Sequence, residues 1–200
     1  GFGNIYSSTI LNHEDFLNQF QSGIYQYRIL SGHFLLNIYD ALSALNLNYD
    51  IFKFKFFNEG TEPQMYLAFY ILNTIFAVLT AIVLSFVLHG TWNNKSDNER
   101  LNYGIVAVLT MAITQFVIVP YDYSSYFFIV LFAGILFSHL QHPRTSSLIV
   151  MMALVVLSTL NRESSALSIA MAATLLLTRF GWSRKSIVVT GLLGLTFLAT

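Results

Sequence analysis

Between Glu62 and Lys95 the chain carries no charged residue. Within that interval Gln64–His89 reads as one apolar helix, long enough to cross the roughly 30 Å hydrocarbon core of a bilayer. Lipid offers no hydrogen-bond partners, so such a run must satisfy its own backbone, which favours helix. The remainder repeats the pattern. Gly90 ends the first run, and Asn102–Val119 is a second, closed by Pro120. Ser124–Leu140, Ser147–Leu160, Ser165–Thr178 and Ser186–Thr200 follow. The expected fold is an all-α polytopic membrane protein with about six transmembrane helices, at 64–89, 102–119, 124–140, 147–160, 165–178 and 186–200. The runs at 147–160 and 165–178 are short, and either form a tilted hairpin or do not cross fully.

Composition supports a lipid-facing chain. Of 200 residues, 55% are hydrophobic and 10% charged, against roughly 25% charged in ordinary soluble domains. Eighteen Phe and 11 Tyr suit interfacial rings. Ten basic and ten acidic residues cancel, leaving no basic patch for nucleic acid. Without cysteine, there is no disulfide, thiolate nucleophile or cysteine metal site. The chain begins with Gly1 and ends inside the apolar run GLLGLTFLAT, so it reads as an internal piece with spans expected on both sides.

Residues 1–62 read as an extracytoplasmic loop with amphipathic, interfacial helices, and 63–200 as the transmembrane bundle. His13–Ser22 places Phe16, Leu17 and Phe20 on one side, with Gly23 as a stop. Arg28–Leu47 is a second helix, with His33, Asn37, Asp40 and Ser43 or Ala44 in one polar stripe. It suits the headgroup plane, with a tilted or re-entrant segment as the rival. Ile51–Phe57 alternates Phe and Lys, the period of an extended segment. Asn58–Glu62 is a turn, and Pro63 suits the first helical position.

Loop charge sets the sides. If all six runs cross, the loops at 90–101, 141–146 and 179–185 share a face and hold Lys95, Arg100, Arg144, Arg179, Arg184 and Lys185. The connections at 120–123 and 161–164 hold only Arg162 as a base. The positive-inside rule then places the first set in the cytoplasm. Glu14, Asp15, Arg28, Asp40, Asp122, Arg162 and Glu163 collect outside.

Each candidate has a structural alternative. Glu14 or Asp15 could serve as a general base or hold a metal; equally, two acids at a helix start favour the macrodipole. Arg162 and Glu163 sit between two apolar segments, where ionisable groups carry functional weight. Arg162 would suit a phosphate; the alternative is a hairpin turn with Asn161 as N-cap and Glu163 in the first turn. Arg28 could pair with Asp15 or Glu14, bind phosphate, or snorkel to headgroups. Asp122, between Tyr121 and Tyr123, could bind a sugar or a metal, or be a solvated loop acid. Among the five histidines only His13, beside Glu14 and Asp15, stands out.

Glu14-Asp15 followed by Phe16, Phe20, Gly23, Ile24 and Tyr25 resembles the first outer loop of polytopic C-type glycosyltransferases, which use lipid-phosphate sugar donors. The resemblance covers the architecture of roughly residues 10–200 but only about a dozen residues of motif. The family's first span is not in this sequence, and Tyr25-Gln26-Tyr27-Arg28 and Asn161-Arg162-Glu163-Ser164 match no named branch. It implies that Asp15 or Glu14 activates the acceptor or binds a metal, and that Arg28 and Arg162 hold the donor's phosphate; from the residues themselves, Glu163 and Asp122 are further candidate substrate contacts. A divalent metal is compatible with carboxylate ligands, without an identified cofactor. The expected partners are membrane lipid and a lipid-linked sugar donor, and the expected location is an integral, multi-pass protein of a bacterial inner (plasma) membrane. The reading is transfer of a sugar from a polyprenyl-phosphate donor on the outer face. The alternatives are a transporter or flippase for a lipid-linked or small polar substrate, or a non-catalytic membrane scaffold.

Overall fold

The computed structural model describes residues 11–21, 28–49, 61–91, 96–114 and 122–200. The extended segment expected at 51–57, the helix stop at Gly23, the family resemblance at Ile24 and Tyr25, and the breaker Pro120 lie outside the described residues. Within them the chain is all helical, with eight α-helices and one short 3-10 turn. These are α1 (His13–Phe20), α2 (Ile29–Ala44), α3 (Pro63–Thr91), α4 (Asp97–Thr114), α5 (Asp122–Gln141), α6 (Thr145–Thr159), the 3-10 turn Glu163–Ser165, α7 (Ala166–Phe180) and α8 (Arg184–Ala199).

Two helices are long and apolar enough to cross a membrane: α3, over Pro63–Val87, and α5. The others differ for identifiable reasons. α4 begins with Asp97, Glu99 and Arg100, which make its first turn polar. α6, α7 and α8 have 15, 15 and 16 residues, or about 22–24 Å at 1.5 Å per residue. Among the described residues, then, two of the six expected crossings have the length and composition of a span; residues 115–119 of the run expected at 102–119 lie outside them.

The helices run back and forth. α4 returns along α3, with Ser85 and Ala81 facing Leu101 and Ile105 across a shallow groove. α5 then runs alongside α3 in the same direction, Phe127 meeting Phe76 (ring centroids 5.8 Å apart) and Gly134 meeting Val87. A Cβ on Gly134 would stand 2.6 Å from Val87 Cγ2, so a larger residue here would push the Val87 side chain aside. His139 meets Ser147 at one end of the α5–α6 pair, and Ser125 meets Asn161 at the other.

Two apolar clusters result. One joins α1 and α2 to α3 through Phe16, Phe20, Leu35, Leu42, Met65, Phe69 and Phe76. Gly32 makes this close approach possible, because a Cβ there would fall within 3 Å of the Phe20 ring. The other joins α5 to α8 through Phe132, Leu136, Met151, Val155, Leu176 and Leu193.

The surface pattern is informative. Ser31, Thr80, Ser124, Ser158, Asn161, Ser165, Ser168 and Ser186 are buried. Phe86, Leu101, Val106, Ile149, Leu167, Leu195 and Leu198 are exposed. Hydroxyls and small groups between helices with large aliphatic side chains outside is the arrangement helices adopt in lipid, where tight contact rather than apolar burial drives packing. In water, exposed apolar surface of this kind marks a contact surface.

Candidate functional site

The candidate site grows from a buried amide. Asn161 ends the α6–α7 connection's first turn and is fully buried. Its Oδ1 accepts hydrogen bonds from Ser31 Oγ of α2 and from Ser124 Oγ of α5, the latter at 2.9 Å. Its Nδ2 donates to Ser125 Oγ at 3.1 Å. The Ser31 and Ser124 hydroxyl oxygens also lie 2.8 Å apart. The Leu30 backbone N–H donates to the Leu160 carbonyl at 3.1 Å. Three segments far apart in sequence are thereby locked together. The N-cap expected of Asn161 is corrected: Arg162 and the 3-10 turn intervene before α7, and the amide is spent on the hub instead.

The charged residues sit around this hub. Arg28, the residue before α2, donates through Nε to both Glu163 oxygens at 3.3 and 3.2 Å and through Nη2 to Oε2 at 2.9 Å. Arg162 pairs through Nη1 with Asp122 Oδ1 at the start of α5. The Arg28 side chain is 15% exposed and that of Glu163 52%, so the cluster lies at the rim of the fold. Burial pushes the Glu163 carboxyl up, but the Arg28 hydrogen bonds and the charges of Arg28 and Arg162 outweigh it and hold the carboxyl below its usual range. The structure thus brings Arg28, Asp122, Arg162 and Glu163 together.

Glu14 and Asp15 stand elsewhere. Both are exposed in the first turn of α1. Asn12 caps that helix, its Oδ1 accepting from the Asp15 backbone N–H at 3.1 Å. This is the macrodipole arrangement. Of the pairings open to Arg28, the bidentate one is with Glu163. His13 stacks on Tyr39 with centroids 4.2 Å apart. Tyr39 donates to Glu62 Oε2 at 3.1 Å, and burial followed by the charge of Glu62 pushes its hydroxyl up to about 12. In α2 the stripe of His33, Asn37, Asp40 and Ser43 is exposed, as are Phe34 and Leu45.

What the cluster can do chemically follows from its makeup. Two guanidiniums can grip anionic oxygens, and two carboxylates can accept hydroxyl protons in hydrogen bonds. Among the described residues no group of three or more His, Asp or Glu is placed to hold a metal ion. Ser31, Ser124 and Ser125 were missed by sequence reasoning, and Asn161 was read only as a candidate cap. The available signal was a set of small polar residues inside otherwise apolar segments, which must find partners when buried.

Next to the cluster, α2 and α3 leave an apolar furrow of about 850 Å³. α2 forms one wall with Leu30, Phe34, Ile38 and Leu45, and α3 the other with Ile71, Ile75 and Leu79. Phe127, Phe128 and Leu157 close its base. No protein-family model, curated protein or solved structure matches this chain.

Proposed function

We propose that the chain is part of a multi-pass integral membrane protein that moves a sugar from a polyprenyl-phosphate donor to an acceptor at the outer face of a bacterial inner (plasma) membrane. One observation carries the reading. Two arginines and two carboxylates from residue 28, the start of α5 and the α6–α7 turn converge at one rim of the helices, beside a long apolar furrow. A lipid-linked phosphosugar presents the complementary set: a hydrocarbon chain, phosphate oxygens and hydroxyls. Arg28 and Arg162 suit the phosphate, which leaves with a negative charge in the transfer step. Asp122 and Glu163 suit sugar hydroxyls. Asp15 or Glu14, exposed at the start of α1 and away from this cluster, is assigned as the acceptor-activating base by the family resemblance alone, and the variants below test it. The exposed aliphatic surface and the alternating helices support crossings beyond α3 and α5, with the shorter helices tilted or flanked by a thinned bilayer.

The test is transfer in sealed vesicles from a polyprenyl-phosphate sugar, with the variants Asp15→Asn, Glu14→Gln and Arg162→Ala. Loss of more than tenfold in Arg162→Ala and in at least one acid variant is expected. Full activity in all three would overturn the assignment. A transporter reading draws on one observation: Asn73 Oδ1 and His139 Nε2, in α3 and α5, are buried without a hydrogen-bond partner among the described residues. Such groups within spans are where substrate paths form. Uptake or flipping without transfer would favour it.

A further inference from the structure

We infer that the groove between α3 and α4 binds a zwitterionic aminophospholipid of the bilayer, with an acyl chain along the groove and the headgroup across Asp97 and Arg100. The inference rests on the membrane placement proposed above. It draws neither on sugar transfer nor on the Arg28–Arg162 cluster and its furrow.

The groove measures about 620 Å³ and changes character along its length. Because α3 and α4 are antiparallel, Ser85 near the end of α3 and Asp97 at the start of α4 share one end of it. There Asp97, Asn98 and Arg100 line the opening. Farther along α4 the lining is Leu101, Gly104, Ile105, Val108 and Leu109, at the three- and four-residue spacing of one helix face. A charged opening that leads into an apolar trough repeats the division of a phospholipid into headgroup and chain. An extended peptide in the trough would leave backbone N–H and C=O groups without partners, whereas an acyl chain has none to satisfy.

Gly104 gives the trough its depth. A glycine inside a helix is less stable than an alanine. At Gly32 and Gly134 the missing Cβ makes room for Phe20 and Val87, but a Cβ on Gly104 would meet nothing within 4 Å. The space it leaves opens onto the exposed face formed by Leu101 and Ile105, where a chain from the bilayer can enter.

The opening carries both signs. Arg100 donates through Nη1 to Asp97 Oδ1 at 3.1 Å, with side chains 14% and 92% exposed. The end of α4 is capped by other groups. Glu99 Oε2 accepts from the Ser96 backbone N–H at 3.0 Å, and Ser96 Oγ accepts from the Glu99 backbone N–H at 3.3 Å. An acid beside a base matches a headgroup that joins a phosphate to a primary ammonium. The planar guanidinium suits phosphate oxygens, and the carboxylate accepts hydrogen bonds from ammonium N–H groups. A purely anionic headgroup would set its charge against Asp97, and a quaternary ammonium has no N–H to donate. An ion pair with so exposed an acid contributes little on its own, so a headgroup can insert between its members.

Native mass spectrometry of the purified chain in detergent tests this with three probes of identical acyl chains: phosphatidylethanolamine, phosphatidylglycerol and phosphatidylcholine. Phosphatidylethanolamine should bind at least fivefold more tightly than either of the others. Asp97→Asn should bring it to within twofold of phosphatidylcholine. Gly104→Leu, which fills the trough, should weaken it at least fivefold with helix content and elution volume unchanged. Equal binding of the three lipids, a preference that survives Asp97→Asn, undiminished binding in a folded Gly104→Leu, or a dimer that Gly104→Leu dissociates would overturn the proposal. Alkaline carbonate extraction separates the failures. Release of the native chain from membranes would overturn the membrane reading and this one together, whereas a retained chain without lipid preference would overturn this one alone. Selective binding without sugar transfer would leave the groove standing and remove the transferase.

Discussion

The turns that join α6 to α7 and α7 to α8 connect helices of nearly equal length, yet they are built on different principles. The turn at 181–183 closes on itself. Gly181 takes a left-handed φ of 62°, Trp182 is 85% exposed, and the Ser183 hydroxyl accepts from the Ser186 backbone N–H at 3.2 Å to cap α8. The turn at 160–165 closes on distant partners. Asn161 reaches Ser31, 130 positions away, and Glu163 reaches Arg28, 135 positions away. A turn that needs only to reverse the chain can be satisfied locally. One that buries an amide and pairs both its charges far away is a junction. The cations at the first turn are those a positive-inside anchor supplies; the charges at the second are committed to specific geometry.

The comparison breaks most sharply at Asn161. Replacing it by Leu removes the amide that two buried serine hydroxyls, Ser31 and Ser124, and the half-buried Ser125 bond to, at an expected cost of about 2–4 kcal/mol. Thermal unfolding in detergent measures it. Adding Ser31→Ala and Ser124→Ala should recover part of the loss, since removing both sides of a buried bond is nearly neutral. A loss below that of Ser183→Ala would mean that the hub is no more than a turn.

Next in size is the Asp122–Arg162 pair, whose side chains are 22% and 38% exposed. A double-mutant cycle with Asp122→Asn and Arg162→Gln should return a coupling of about 1–2 kcal/mol. Additive effects would show two independent surface charges instead. At the other turn Ser183→Ala should cost about 1 kcal/mol, the value of one N-cap. Its effect should leave sugar transfer unchanged.

The smallest effect is on pH. The Glu163 carboxyl lies below its unfolded value, so its contribution is present above the unfolded value and is lost as pH falls through the lower folded value. Glu163→Gln should therefore flatten the acid limb of the stability profile while leaving the neutral region nearly level. An unchanged acid limb would show that the Arg28 contact does not favour the ionised form.

These contrasts also mark what the sequence could tell. The helices were legible because apolar runs and their punctuation are local: Pro63 opens α3, and α5, α6 and α8 begin within two residues of their expected starts. α2, expected over Arg28–Leu47, runs Ile29–Ala44. Loop charge arithmetic put Arg28, Asp122, Arg162 and Glu163 on one side, because alternation of helices follows from their number. Their pairing was not legible, since it depends on which faces of α2, α5 and the turn meet. Asn161 looked like a local cap because Asn is common there. Its use as a hub follows from the burial of α2 against α5, which no local pattern carries.

The central claim is that the junction at 160–165 lies on the outer face, next to Arg28 and Asp122. The native chain has no cysteine, so a single Glu163→Cys variant can be labelled without interference. In intact cells a membrane-impermeant maleimide should modify position 163 from outside, with a Trp182→Cys control reacting only after the membrane is opened. Reaction of position 163 only after opening would contradict the account, because Arg28, Asp122, Arg162 and Glu163 would then face the cytoplasm.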